Sequence, residues 1–340
     1  MKQAPLKIGC VGAGYFAQFH YDAWARIPGA IPIASVDTDI KKARATGLTS
    51  YNNIDDMLAV ENLDIIDIIT PPETHLEMIK SALTSKVSAI ICQKPFCNSL
   101  DDAKIAVELA SKHGTPLIVH ENFRFQPWYR TIKHRINKGD IGTVLQASFR
   151  LRPGDGQGEN AYLDRQPYFQ KMPRFLVHET AVHWVDVFRY LMGNPDHVYA
   201  DLRKLNEAIA GEDAGYFILG FDGGRRAMFD GNRLLDHSAE NHRNTLGECL
   251  IEGTSGTLEL DGFGNVTLRK FGKTRKKTVL AAQPYQGFGG DCVHALQSHV
   301  IAGLLNRSVF ENEAADYLKV LEIEEALYRS NDTGSRIILG

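Results

Sequence analysis

The chain has 340 residues, 44% of them hydrophobic and 23% charged, with a formal net charge of −3. Such a length and balance suit two globular domains of about 100–200 residues each and exclude a disordered or fibrous chain. Mixed charge of nearly zero sum offers no general attraction for nucleic acid or a membrane surface, and no apolar run approaches the ~20 residues of a membrane span.

The five cysteines, Cys10, Cys92, Cys97, Cys249 and Cys292, are odd in number and lack CxxC spacing. This argues against a disulfide framework or a zinc ribbon and for a reducing compartment. No leader-like segment precedes the first apolar run, so a cytoplasmic location is expected.

In chain order, an apolar run at 8–11 leads into Gly12-Ala13-Gly14-Tyr15-Phe16-Ala17, and helical spacing follows to Ile27 before Pro28-Gly29. Strand, glycine turn and helix in this order form a dinucleotide fingerprint. Gly12 permits the turn, Gly14 lets backbone approach a pyrophosphate, and Ala17 allows close packing of helix on strand. A second strand, 31–36, ends on Asp37, where a carboxylate accepts hydrogen bonds from the adenosine ribose. That carboxylate repels a 2′-phosphate and Thr38 is not an arginine, so NAD is expected over NADP, although Lys41, Lys42 and Arg44 are near.

Strands at 63–69, 89–92 and 116–120 then alternate with helices at 73–83 and 100–112, predicting a parallel sheet with right-handed crossovers. Ligands bind outside the carboxyl ends of such strands, which puts Gly12, Asp37, Thr70, Pro71, Lys94 and Glu121 on one rim. The expected fold class is α/β: an N-terminal Rossmann domain with a doubly wound parallel sheet over 1–122, then a second α/β domain over 123–340. There, helices at 128–137, 175–192, 291–305 and 312–330 frame strands at 144–151, 198–205, 214–221, 226–232, 248–252, 257–260 and 266–270. Strands without intervening helices predict a large, open, mostly antiparallel sheet. The basic run 269–277 reads as an exposed hairpin tip or a local anion patch.

Three stretches offer chemistry. Lys94 follows a buried strand and precedes Pro95, so its ammonium either faces the ligand crevice or is a surface lysine. On the helix from Phe175, Glu179, His183 and Asp186 share one stripe at 100° per residue. There His183 could take a hydroxyl proton with Glu179 or Asp186 orienting it, or the stripe could be ion-paired packing. His178-Glu179 imitates the start of HExxH, but the second histidine falls at i+5, roughly 140° around an α-helix, and no metal site is expected. His237 and His242 repeat the i+5 spacing in a loop. Finally, the polar loop 153–174 carries Tyr162, Arg165, Tyr168, Phe169 and Arg174, suiting a lid or sugar-binding wall, or else an arm for a partner subunit.

Together, the glycine turn with His20 behind it, Thr70-Pro71-Pro72 with His75, Gln93-Lys94-Pro95, Glu121-Asn122-Phe123-Arg124-Phe125, Gly139-Asp140-Ile141-Gly142 and Glu179-x-x-x-His183-x-x-Asp186 resemble the Gfo/Idh/MocA oxidoreductase family in motif order over nearly the whole chain. The resemblance implies Lys94, Glu179 and His183 as the catalytic group. It implies a cofactor set of Gly12, Gly14, Tyr15, Phe16, Ala17, Asp37, Thr70, Pro71, His75, Gln93, Lys94 and Glu121. Gln93 and Glu179 depart from the family's usual Glu and Asp. The resemblance further implies dimers or tetramers built through the C-terminal sheet.

The expected function is NAD-dependent oxidation of a secondary alcohol on a polyol, cyclitol or sugar, with Arg124, Tyr162 and Tyr168 as substrate contacts. Two alternatives stay open: a catalytically silent NAD-binding sensor, and an enzyme that uses tightly held NAD in an elimination or hydrolysis.

Overall fold

Aliphatic runs without polar alternation need cover on both faces, and the first strands of this chain have it. The computed structural model describes residues 4–340. Within it, β1 (Leu6–Val11), β2 (Ala30–Val36), β3 (Thr49–Tyr51), β4 (Ile65–Ile68), β5 (Ala89–Gln93) and β6 (Leu117–His120) form a wholly parallel sheet. Their order is β3-β2-β1-β4-β5-β6, and every residue of β4, β5 and β6 is buried. The order reverses at β1, so the carboxyl ends of β1 and β4 border the crevice that ligands use in doubly wound sheets.

Side chains start three connecting helices. Asp39, Asn53 and Ser99 each accept a backbone N–H at the helices Ile40–Ala45, Ile54–Val60 and Leu100–His113. The second of these helices and β3 are absent from the sequence expectation because segments this short show no resolvable period.

By its contacts the chain divides into two compact units. One is the described chain through Asn122 with Asp291–Lys319, and the other is Phe123–Gly290 with Val320–Gly340. In the first, the returning segment is fastened by Arg26, whose guanidinium donates twice to Asp291 at 2.7 and 2.8 Å, and by Val119 N–H donating to the Asn312 carbonyl at 2.9 Å. Asp67, fully buried on β4, accepts from Trp24 Nε1 at 2.7 Å and Gln297 Nε2 at 3.3 Å and pairs with His20 Nδ1 at 2.9 Å.

The second unit holds a nine-stranded sheet of β7 (Val144–Leu151), β8 (His197–Arg203), β9 (Ala214–Gly220), β10 (Arg226–Asn232), β11 (Gly247–Gly253), β12 (Gly256–Leu260), β13 (Val266–Lys270), β14 (Lys276–Leu280) and β15 (Ile337–Ile338). The order is β14-β13-β12-β11-β7-β10-β9-β8-β15. All neighbours are antiparallel except β7 and β10, so the sheet is mixed at its centre. The basic run 269–277 spans the β13–β14 turn, and the lysines of β14 occupy an edge strand, where charge discourages further pairing.

One face of this sheet is aromatic. Phe149 stacks on Trp184 at 4.0 Å between centroids, and Phe217 on Phe229 at 4.9 Å, burying the helix Val182–Met192 against it. Registered across the other face are Tyr199, Ile218, Met228, Ser148 and Leu250. No helix among the described residues is long and apolar enough to cross a membrane.

Candidate active site

The glycine turn between β1 and the helix Ala17–Arg26 is built around one compulsory glycine. Gly12 has φ +112°, and a Cβ there would meet the carbonyl carbon and oxygen of Ile69, both at 2.9 Å. Any side chain at this position is both strained and blocked by backbone. A Cβ on Gly14 would meet nothing within 4 Å. Ala17 is 1% exposed. Unlike the three capped helices, Ala17–Arg26 has no side-chain cap, which suits an anion at its amino terminus. Asp37, at the tip of β2, accepts from Ala13 N–H through Oδ2 at 2.9 Å and from Asp39 N–H through Oδ1 at 2.9 Å. Its carboxylate thus ties the tip of β2 to the glycine turn. Tyr15 is exposed and Phe16 half-buried beside that turn.

The ends of β4 and β5 are tied by His75. Buried completely, it donates Nε2–H to the Thr70 carbonyl at 2.7 Å, and Nδ1 accepts Cys97 N–H at 3.3 Å. Burial pulls the His75 imidazole down to about 4, so it stays neutral and keeps that tautomer. Thr70 and Pro71 are thereby linked to the turn carrying Lys94, which is half-buried and joined to Pro95 by a cis peptide. Beside Lys94, Gln93 is 8% exposed and its Oε1 has no hydrogen-bond partner. A buried acceptor left in this condition costs about 1–3 kcal/mol unless a ligand donor reaches it. Glu121 is buried completely, accepting Tyr317 O–H at 3.2 Å and, through its carbonyl, the Asn312 amide at 2.5 Å. A forced glycine, an uncapped helix start, a placed carboxylate and an orphaned acceptor together fit a dinucleotide.

In the second unit the His183 segment departs from the expected continuous α-helix. Leu176–Ala181 is a π-helical turn, and the α-helix runs over Val182–Met192. Buried Glu212 explains this start: its Oε1 accepts the amides of Phe175 at 3.2 Å and Val177 at 3.1 Å, while Tyr328 Oη accepts that of His178 at 3.2 Å. The 100°-per-residue reading therefore fails before Val182, and the two carboxylates flanking His183 go to different arginines. Asp186, fully buried, takes Arg124 in a two-pronged pair, Nε at 2.8 Å and Nη2 at 2.5 Å. Glu179 accepts Thr180 O–H at 2.5 Å and lies 3.8 Å from Arg233 Nη1. His183 is 5% exposed, its ring stacked on Phe123 at 3.7 Å and 3°. His178 turns to Glu324 at 2.6 Å instead, and His237 Nδ1 lies 2.7 Å from the Arg152 carbonyl oxygen.

The 153–174 loop is pinned to the sheet. Gly154 and Gly156 donate backbone N–H groups to the carbonyls of Leu235 and Arg233, each at 2.9 Å. Tyr162 is 3% exposed; its hydroxyl donates to Asp155 at 3.1 Å and accepts from Arg233 Nε at 2.7 Å. Tyr168, in contrast, is 55% exposed. Of the three expected substrate contacts, Arg124 and Tyr162 have polar atoms engaged inside the protein, and Tyr168 faces outward. Sequence reasoning gave no role to Arg233, Asp155, Thr180 or Phe123; the available signals were a charged residue directly after a strand, at 233, and the place of Phe123 in the 121–125 motif.

Residues 6–121 match the oxidoreductase family with an NAD-binding Rossmann fold, and residues 129–259 match the GFO/IDH/MocA C-terminal domain. The chain is 32% identical to a D-apiose dehydrogenase of Paraburkholderia graminis, over 98% of this chain and 90% of that protein. It is 29% identical to a D-apiose dehydrogenase of Rhizobium rhizogenes, over 100% and 99% respectively. A crystal structure of an oxidoreductase from Agrobacterium radiobacter in complex with NAD+, L-tartaric acid and magnesium superposes with a TM-score of 0.88 at 27% identity, covering 98% of each chain.

Proposed function

The chain belongs to the GFO/IDH/MocA oxidoreductase family, and on that premise we propose that it is an NAD-dependent dehydrogenase of a sugar or polyol CH–OH group, with D-apiose the first candidate. What carries the reading is the full-length likeness to two D-apiose dehydrogenases, which spans both the nucleotide turn and the His183 helix. When bound, NAD supplies a nicotinamide ring that takes up hydride. His183 removes the hydroxyl proton at an imidazole nitrogen, and the Lys94 ammonium donates a hydrogen bond to the oxygen as negative charge gathers there. Glu179 orients His183, while Asp186 pairs with Arg124.

Gly12, Gly14, Ala17 and Asp37 would hold the pyrophosphate and adenosine ribose, and Thr70, Pro71 and Gln93 the nicotinamide end. His75 acts on this set by joining its turns. Arg124 and Tyr162 support the site from within, leaving Tyr168 as the candidate for contact outside it. The row Tyr199, Ile218, Met228 and Leu250 we assign to a second copy of the chain, as the family's C-terminal sheet implies. Light scattering should show a dimer or tetramer that Met228→Lys weakens.

The test is to mix the protein with NAD and D-apiose, other pentoses, hexoses and inositols, and to follow reduced cofactor. We expect turnover that falls by on the order of 100-fold or more in Lys94→Ala and His183→Ala. Variants within a few fold of wild type would overturn the residue roles, and NADH binding without turnover across the panel would favour the sensor.

A further inference from the structure

Arg233 directly follows β10 and is 4% exposed. Its guanidinium is engaged in three directions. Nε donates to Tyr162 Oη at 2.7 Å and Asp155 Oδ1 at 3.2 Å, Nη2 to Asp155 Oδ2 at 2.9 Å, and Nη1 to Thr180 Oγ1 at 2.6 Å. The Thr180 hydroxyl, accepting from Arg233, donates its own O–H to Glu179 Oε2 at 2.5 Å. The guanidinium carbon lies over the rings of Phe175 at 4.7 Å and Tyr162 at 5.0 Å from their centroids. Arg165 completes the set by donating to Asp155 Oδ2 at 3.0 Å. Two cations thus balance two carboxylates, Asp155 on the loop and Glu179 on the π turn.

A buried arginine with five fixed donors is an expensive way to pin a loop, since aromatic packing of Tyr162, Phe169 and Phe175 already does so. What packing cannot supply is a direction for the Glu179 carboxylate. We propose that Arg233 is a positioning residue that aims Glu179 through the Thr180 hydroxyl and makes the 153–174 loop part of the same rigid assembly. The inference rests on the assignment of Glu179 and His183 given above. It also accounts for the acid being Glu: its extra methylene lets the carboxylate reach the Thr180 hydroxyl. Lysine cannot replace Arg233, because a point charge does not serve Asp155, Tyr162 and Thr180 at once.

The experiment is a double-mutant cycle of Arg233→Met and Glu179→Gln, with Arg233→Lys alongside. It is read on kcat with NAD and D-apiose, and on the ring titration of His183 by NMR of isotope-labelled histidine, assigned with His183→Gln. NADH affinity is the control. We expect Arg233→Met to lower kcat by on the order of 10–100-fold with NADH affinity kept within twofold. Arg233→Lys should restore little, and Arg233→Met should add almost nothing in the Glu179→Gln background, in kcat or in the His183 titration. Independent, additive effects overturn the inference and leave Arg233 a loop anchor, as does Arg233→Met within threefold of wild type. Glu179→Gln that moves neither observable sinks the catalytic assignment itself. If Arg233→Met does not fold, Thr180→Val cuts the same relay and takes its place in the cycle. With no sugar turned over, the His183 titration alone decides.

Discussion

Arg124 separates two accounts of the second unit. By its place in the chain it is a substrate contact; by its surroundings it is the counter-ion of Asp186, which is 0% exposed and receives both Nε at 2.8 Å and Nη2 at 2.5 Å. Replacing Arg124 with Met keeps most of the stem's volume and withdraws the guanidinium from a buried carboxylate. Breaking such a pair from one side costs about 3–5 kcal/mol, because the remaining charge stays desolvated. Removing both charges, in Arg124→Met with Asp186→Leu, should recover most of that loss, to within about 1–2 kcal/mol of wild type. Urea unfolding followed by tryptophan emission reads both, since Trp184 sits two residues from Asp186 and stacks on Phe149. Kinetics with NAD and D-apiose are taken in parallel, well below the unfolding transition. If Arg124→Met costs less than about 1 kcal/mol yet raises KM for the sugar tenfold or more, the buried-pair account is wrong. Arg124 would then touch substrate, as its sequence position suggested.

Gly12→Ala should weaken NADH binding at least tenfold and destabilise the first unit by about 2–4 kcal/mol, since φ +112° and the Ile69 carbonyl at 2.9 Å leave a methyl no room; fluorescence titration and thermal unfolding read the two losses, and intact NADH affinity would contradict the cradle. His75 binds no proton in the fold until about pH 4, whereas the unfolded chain protonates near 6.5. Its contribution is therefore whole above pH 6.5 and lost as pH falls towards 4, a decline of about 3 kcal/mol. Denaturation across this range should show a slope that His75→Gln flattens, and an unchanged slope would remove His75 as its source. Gln93→Leu deletes the orphaned acceptor, so the protein without cofactor should be as stable as wild type or about 1–2 kcal/mol more so, while NADH binds roughly tenfold more weakly. Unaltered NADH affinity would show that Gln93 Oε1 meets no cofactor donor.

Much of this protein was legible in the residues alone, where the signal is local. A Gly12 that must adopt a left-handed backbone, a carboxylate at the tip of the second strand, and alternating strands and helices specify a Rossmann sheet because each is a short-range steric or periodic demand. The open sheet likewise announced itself by strands without helices between them. Segments of three to seven residues, such as Thr49–Tyr51 and Ile54–Val60, are too short to display a period, and the parallel pairing of β7 with β10 joins strands far apart in the chain. The sequence could line up Glu179, His183 and Asp186 only by assuming an unbroken α-helix. Tertiary structure broke that assumption: Glu212, from outside the segment, takes the first amides of the π turn, and the two carboxylates pair with different arginines, Arg124 and Arg233. Local sterics and periodicity are written along the chain, but which arginine a buried carboxylate receives depends on residues 54 and 62 positions away. Only packing brings those together.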